Sequence, residues 1–158
     1  MIHLAATSDQ PALWLGGAPS GNGEEPHGQR LRSGTNPTAK RILIVEDEFF
    51  IALDAQEQVE ALGHTVVGIA ISADQAVMVA EREKPDLVLM DIRLSGARDG
   101  IEAAVEIRER HGIGSIFVTA NTDPATLQRA RSINPLGVLH KPLTQAGLLH
   151  QLSKIKWE

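Results

Sequence analysis

The chain has no cysteine and no tyrosine, and among its 158 residues only two tryptophans and three phenylalanines. Without cysteine there can be no disulfide, no thiolate metal site and no cysteine nucleophile, which fits a reducing compartment. Long hydrophobic runs are missing too. Stretches such as Ile42–Val45 and Leu87–Met90 fall far short of the ~18 residues that span a bilayer. The first residues lack the basic start and apolar stretch of a secretory signal. The formal net charge is −5, which argues against a general nucleic-acid binder, because a phosphate-neutralising surface needs clustered lysine and arginine. No Gly-x-Gly-x-x-Gly follows an apolar strand, and no glycine-rich loop precedes a Lys-Ser/Thr pair. Dinucleotide and nucleotide-hydrolase sites are therefore not expected. These exclusions point to a cytoplasmic protein that engages neither membrane nor nucleic acid and works through other proteins or small ligands.

What is present suits one globular domain. Apolar residues make up 42% and charged residues 22% of the chain, ordinary values for a soluble protein, and the length allows one domain with a real core. Composition changes near residue 40. Residues 1–38 hold Gly16-Gly17, Pro19-Ser20-Gly21-Asn22-Gly23 and Asn36-Pro37 without a periodic apolar pattern. Such a segment cannot bury enough surface to offset its ordering entropy, so 1–38 reads as a disordered arm and 39–158 as the folded domain. Leu13, Trp14 and Leu15 form the arm's only apolar spot. They are either an exposed trio or a short docking element.

From Arg41 the pattern becomes regular. Arg41–Val45, Thr65–Ala70, Asp86–Met90, Gly114–Val118 and Leu136–Leu139 are short apolar, β-branched runs, as expected of strands covered on both faces. Between them lie segments of helical spacing. Phe49–Leu62 carries apolar residues at Phe50, Leu53, Ala55, Val59 and Leu62 and stops at Gly63. Ser72-Ala-Asp-Gln75 resembles a capping box opening a helix to about Glu83. Gly100–His111 places Ile101, Ala104, Val105 and Ile107 inward, Asp123-Pro124 opens a fourth helix, and Thr144 to about Lys154 closes the chain. Strands alternating with helices imply parallel pairing with right-handed crossovers. Five such units make an α/β, doubly wound parallel sheet, whose ligands bind beyond the carboxyl ends of the strands.

Chemistry-bearing residues fall at those ends. The first strand runs into Glu46-Asp47-Glu48, the third into Asp91, the fourth ends at Thr119 and the fifth runs into Lys141-Pro142. Carboxylates gathered on one rim repel each other unless a cation intervenes. Hard oxygen ligands suit Mg²⁺, which takes one or two carboxylates plus phosphate oxygens. A lysine offers a compact positive charge and a threonine hydroxyl a further donor. Acids, a central Asp, a hydroxyl and a Lys are what phosphoryl transfer to a carboxylate requires. Taken singly, each has a plainer role: Glu46–Glu48 and Asp91 as caps, Thr119 as a partner for a strand-end amide, Lys141 as a solvated charge. Their arrival on successive strand ends favours the joint reading.

Residues 40–155 resemble the receiver domain of two-component response regulators, through Ile42-Leu-Ile-Val-Glu-Asp-Glu48, Pro85-Asp-Leu-Val-Leu-Met-Asp-Ile92, Ile116-Phe-Val-Thr-Ala120 and Leu139-His-Lys-Pro-Leu143. The resemblance implies a five-stranded, flavodoxin-like (βα)5 receiver fold. It implies that Asp91 is the phosphoacceptor, served by a sensor histidine kinase or a histidine phosphotransferase. Mg²⁺ would be held by Asp47, Asp91 and the backbone carbonyl of Arg93, with Glu46 acting through water. Lys141 and Thr119 would contact the phosphoryl group, and Lys141-Pro142 would be cis. Such a protein is a regulator and not an enzyme. It promotes only its own phosphotransfer and dephosphorylation.

The family often places Tyr or Phe three residues before the lysine, where this chain has Val138, so an altered output surface is expected around Val138, His140 and the helix beginning near Asp123. Arg93 and Asn121, each two positions beyond a site residue, either border the phosphoryl group and govern access of water or are exposed loop residues. His140 reads as a partly exposed strand residue, and Ser95–Gly100 as a flexible connection. Only Lys156-Trp157-Glu158 follow the last helix, so a stand-alone regulator acting on an unknown protein effector is expected. Leu148, Leu149 and Leu152 serve the core or a homodimer surface. The rivals are a phosphate sink or relay, a phosphorylation-independent pseudo-receiver supported by Val138, and a small phosphoester hydrolase. A haloacid dehalogenase-type phosphatase is disfavoured, because its second Asp would stand where Arg93 does and its nucleophile would follow the first strand.

Overall fold

A computed structural model describes residues 38–120 and 123–157; the proposed arm apart from Thr38, its Leu13–Leu15 spot and Asn121 lie outside the described residues. Strands and helices alternate as β1 (Arg41–Val45), α1 (Phe49–Ala61), β2 (Thr65–Ala70), α2 (Ala73–Glu83), β3 (Leu87–Met90), α3 (Gly100–His111), β4 (Gly114–Thr119), α4 (Pro124–Ser132), β5 (Gly137–His140) and α5 (Gln145–Ser153). All pairs are parallel, in the order β2-β1-β3-β4-β5. The expected doubly wound, flavodoxin-like sheet is what forms.

The central strands are apolar on consecutive residues because helices cover both faces of the sheet. Alternate residues point to opposite sides. Leu43, Val45, Val88, Met90 and Phe117 join one core cluster with residues of α2 and α3. Ile42, Ile44, Leu87, Leu89 and Ile116 join another with Val59 of α1 and Leu148 and Leu152 of α5. Leu149 is exposed, so of the three leucines only this one is available to a partner.

Most boundaries agree with the sequence to within a residue or two. Asp86 falls just outside β3, although its amide still donates to Arg41 O and its carboxylate accepts from the Arg41 amide (both 2.7 Å). Two helix faces differ. In α1 the sheet-facing positions include Ala52 and Val59, while Phe50 is 82% exposed and Leu53 is 38% exposed. The row Ala52, Ala55, Val59, Leu62 keeps the 3.6-residue period better than the bulkier residues do. In α3, Ala103 is buried and Val105 only half-buried. The capping of α2 is also modified. Ser72 Oγ accepts from the Gln75 amide (3.1 Å), but the Gln75 side chain reaches past Ser72 to the Ile71 amide (2.7 Å). A reciprocal capping box is found instead on α3, between Asp99 and Glu102 (3.0 and 2.9 Å).

Strand order reverses between β1 and β3, since β1 pairs with β2 on one side and β3 on the other. The crevice where a doubly wound sheet takes ligands therefore opens above the carboxyl ends of these two strands.

Candidate functional site

Backbone pairing continues one residue past the strands and fixes the rim. The Glu46 amide donates to Ala70 O (2.9 Å), the Asp91 amide to Val45 O (3.0 Å) and the Lys141 amide to Thr119 O (3.0 Å). Three of the expected side chains are thereby buried: Glu46 is 4%, Asp91 7% and Thr119 1% exposed. Carboxylate oxygens of Glu46, Asp47 and Asp91 lie within 4.8 Å of one another. Lys141 Nζ donates to Glu46 Oε2 (2.5 Å) and to Asp91 Oδ2 (3.0 Å). The Arg93 amide donates to Asp91 Oδ1 (3.3 Å) and the Glu48 amide to Glu46 Oε1 (3.1 Å). The Lys141-Pro142 peptide bond is cis.

Charge states follow from these contacts. Burial pushes the Glu46 carboxyl above its ordinary value, against the opposing hydrogen bond from Lys141. Burial also works to lower the Lys141 ammonium, but its hydrogen bonds to Glu46 and Asp91 outweigh it and the net direction is upward. The lysine is thus a fixed cation among buried acids. Asp47 is held below the usual carboxylate range, chiefly by the hydroxyl of Ser95.

The donor set fits a hard divalent cation. It consists of oxygens from two buried and one half-buried carboxylate, and a positive group, the Lys141 ammonium, already lies against two of them. A cleft of about 330 Å³ opens beside Asp91 and Lys141, lined also by Glu48, Arg93, Thr119 and Ala120. Asp91 and Lys141 also line a second, mostly apolar groove of about 450 Å³, together with Glu46, Phe50, Ile51 and Leu143.

Two residues that sequence reasoning passed over belong to this neighbourhood. Ser95, read as part of a flexible connection, donates to Asp47 Oδ2 through its amide (3.1 Å) and its hydroxyl (2.6 Å). The connection is tied to the site, so the flexible reading is corrected. Gly100 packs against the acceptor strand so closely that a Cβ there would lie 1.8 Å from the Asp91 carbonyl oxygen. A glycine in the first turn of a helix costs stability, and that cost was the available signal. Ser95 gave none, because its contact spans 48 residues of sequence. His140 is exposed as expected, and Val138 is half-buried against the core cluster that contains Phe117.

The family model for the response regulator receiver domain matches residues 42–153. The transcriptional regulatory protein PdtaR of Mycobacterium tuberculosis is 37% identical over 110 residues, covering 70% of this chain and 53% of that protein. The phyllosphere-induced regulator PhyR of Methylorubrum extorquens is 34% identical over 117 residues, or 73% of this chain and 43% of that one. The chain therefore spans about half the length of the curated relatives it matches. Among solved structures, the signal receiver domain of a modulated diguanylate cyclase from Desulfovibrio desulfuricans matches with a TM-score of 0.69 at 36% identity, covering 73% of this chain and 91% of that chain. The PhyR receiver domain of Erythrobacter litoralis matches at 0.65 and 32%, covering 73% and 88%. Among the described residues no helix is long and apolar enough to cross a membrane.

Proposed function

The chain belongs to the response regulator receiver family, and on that premise we propose that Asp91 accepts a phosphoryl group from a histidine kinase or histidine phosphotransfer protein and that the phosphorylated state acts through protein contacts. The observation that carries this reading is the buried Asp91 carboxylate, with the Lys141 ammonium at 3.0 Å and two further carboxylates within 4.8 Å. A nucleophile is thus surrounded by the charges that phosphoryl transfer needs.

In this reading a carboxylate oxygen of Asp91 forms the new O–P bond as the N–P bond of a phosphohistidine breaks. The electron pair stays on the imidazole nitrogen, and an acyl phosphate remains on Asp91. Asp47, Asp91 and the Arg93 carbonyl would hold Mg²⁺, with Glu46 acting through water; when bound, the ion offsets negative charge on the phosphoryl oxygens. Lys141 turns its ammonium from the carboxylates to a phosphoryl oxygen, and the Thr119 hydroxyl donates to another. Arg93, lining the cleft, borders the path of hydrolytic water. The apolar groove beside the site, with Phe50 exposed at its wall, supports a protein as the natural donor.

Incubation with Mg²⁺ and acetyl phosphate followed by intact-mass measurement tests the proposal. One phosphoryl adduct is expected, and none in Asp91→Asn. No adduct, or an adduct that persists in Asp91→Asn, refutes it. The absence of an adduct would instead favour the pseudo-receiver reading, whose support is the aliphatic Val138 where the family often has a ring. A short-lived adduct passed back to a histidine protein would favour a phosphate sink or relay.

A further inference from the structure

Asp47 differs from the other two acids of the cluster. Glu46 and Asp91 are buried and face a common ammonium, whereas Asp47 is half-buried. A half-buried carboxylate turns freely toward water unless something holds it. Ser95 supplies two donors to a single oxygen, Asp47 Oδ2, at 2.6 Å from the hydroxyl and 3.1 Å from the amide. The hydroxyl contact is in the short range of charge-assisted hydrogen bonds.

Ser95 is itself exposed, so it can orient a partner only if its own backbone is fixed. Leu94 packs against a core cluster. Gly96 has φ 110°, a conformation that side chains rarely adopt. Arg98 then pairs with Asp74 of α2 (2.9 Å) and Glu106 of α3 (2.5 Å). Asp99 caps α3 and pairs with Arg129 of α4. A surface serine is thus delivered from a segment held at both ends.

We propose that Ser95 is the positioning residue for Asp47, clamping one of its carboxylate oxygens so that the group stays at the distance from Glu46 and Asp91 that a shared divalent cation requires. The inference rests on the proposed Mg²⁺-dependent phosphoacceptor reading and assigns to it a residue outside the acid cluster. Partners that orient metal ligands commonly change metal affinity 10–100-fold when removed. The lower end applies to an exposed clamp, so about a tenfold loss is expected.

The test titrates the full chain with MgCl₂, following ¹H–¹⁵N amide shifts and binding heat, in wild type, Ser95→Ala and Ser95→Thr. Thermal unfolding without metal is measured on each. Ser95→Ala is expected to raise the Mg²⁺ Kd about tenfold with little change in Tm, and Ser95→Thr, which keeps the hydroxyl, to bind like wild type. In wild type the Ser95 amide signal should shift with the same midpoint as the binding heat. Unchanged affinity in Ser95→Ala overturns the proposal, as does equal weakening in the two variants or a fall in Tm alone. A wild type that binds no Mg²⁺ removes the metal reading itself, and the proposal with it, an outcome distinct from a bound wild type with an indifferent variant.

Discussion

Replacing Lys141 by methionine keeps an unbranched stem and deletes the charge. The ammonium lies 2.5 Å from Glu46 Oε2 and 3.0 Å from Asp91 Oδ2, and both acids are buried. At an effective dielectric of about 20, unit charges 3 Å apart attract by roughly 5 kcal/mol, and carboxylates up to 4.8 Å apart repel by roughly 3 kcal/mol or more. Desolvation of the lysine cancels much of the attraction, and removing one partner of a buried pair costs about 3–5 kcal/mol net. The lower value applies here, because the 330 Å³ cleft above the site opens to solvent. Urea unfolding followed by circular dichroism near neutral pH should therefore show a loss of about 3 kcal/mol, or roughly 10 °C in Tm.

The same substitution has a signed pH dependence. With lysine present, burial already raises the Glu46 carboxyl above 4.5; without it the carboxyl rises further. A folded value above the unfolded one means stability that is complete below 4.5 and lost as pH climbs through the raised value. The deficit should be largest at neutral pH and shrink on acidification. At a Mg²⁺ concentration ten times the wild-type Kd, the ion should return about 1.4 kcal/mol to wild type and more to Lys141→Met, which binds it more tightly because no ammonium competes for the carboxylates. A variant within about 0.5 kcal/mol of wild type at neutral pH, or a deficit that grows on acidification, would refute the reasoning.

Gly100→Ala would place a Cβ 1.8 Å from the Asp91 carbonyl oxygen; a loss of about 2–3 kcal/mol in urea unfolding is expected, with slower phosphorylation by acetyl phosphate as Asp91 shifts. Phe50→Ala, at an 82% exposed position, should change stability by less than about 0.5 kcal/mol; it should slow phosphotransfer from a histidine protein while sparing transfer from acetyl phosphate, as parallel time courses would show. His64 Nδ1 accepts from the Lys40 amide (3.1 Å), and burial, then the Lys40 charge, hold its pKa below 6.5. Its contribution is present above 6.5 and lost as pH falls through the lower folded value. His64→Asn keeps an acceptor and cannot be protonated, so urea midpoints in that variant should fall less than in wild type between about pH 7.5 and pH 5.

The sheet was legible in the sequence because β1, β3 and β4 are buried on both faces and write themselves as unbroken apolar runs. The site was legible for the same reason. Glu46, Asp91 and Lys141 each stand directly after a strand, so a parallel sheet carries them to one rim whatever the loops do. What was not legible depends on approach between distant segments. Phe50 and Leu53 satisfy a loose helical pattern, but Ala52 and Val59 decide which face of α1 meets the sheet, and small residues leave a weak trace. Ser95 lies in a polar loop whose rigidity comes from Arg98 and Asp99 pairing with three separate helices. No local pattern encodes that pairing.

Val138 sharpens the question of how the site reaches the rest of the molecule. No ring stands there to follow Thr119, yet α4 remains the helix least anchored by its own residues. Only Ala130 is buried along Pro124–Ser132, against five buried residues in α3 and five in α2. An element with few buried apolar contacts sits at the low-stability end of a fold and moves at small cost. Its charged tie runs from Arg129 to Asp99, four residues beyond the serine that holds Asp47, and its N-cap, Asp123, follows the strand that ends in Thr119. Both ends of the acid site are therefore connected to the same lightly held helix, one through the loop and one through the strand.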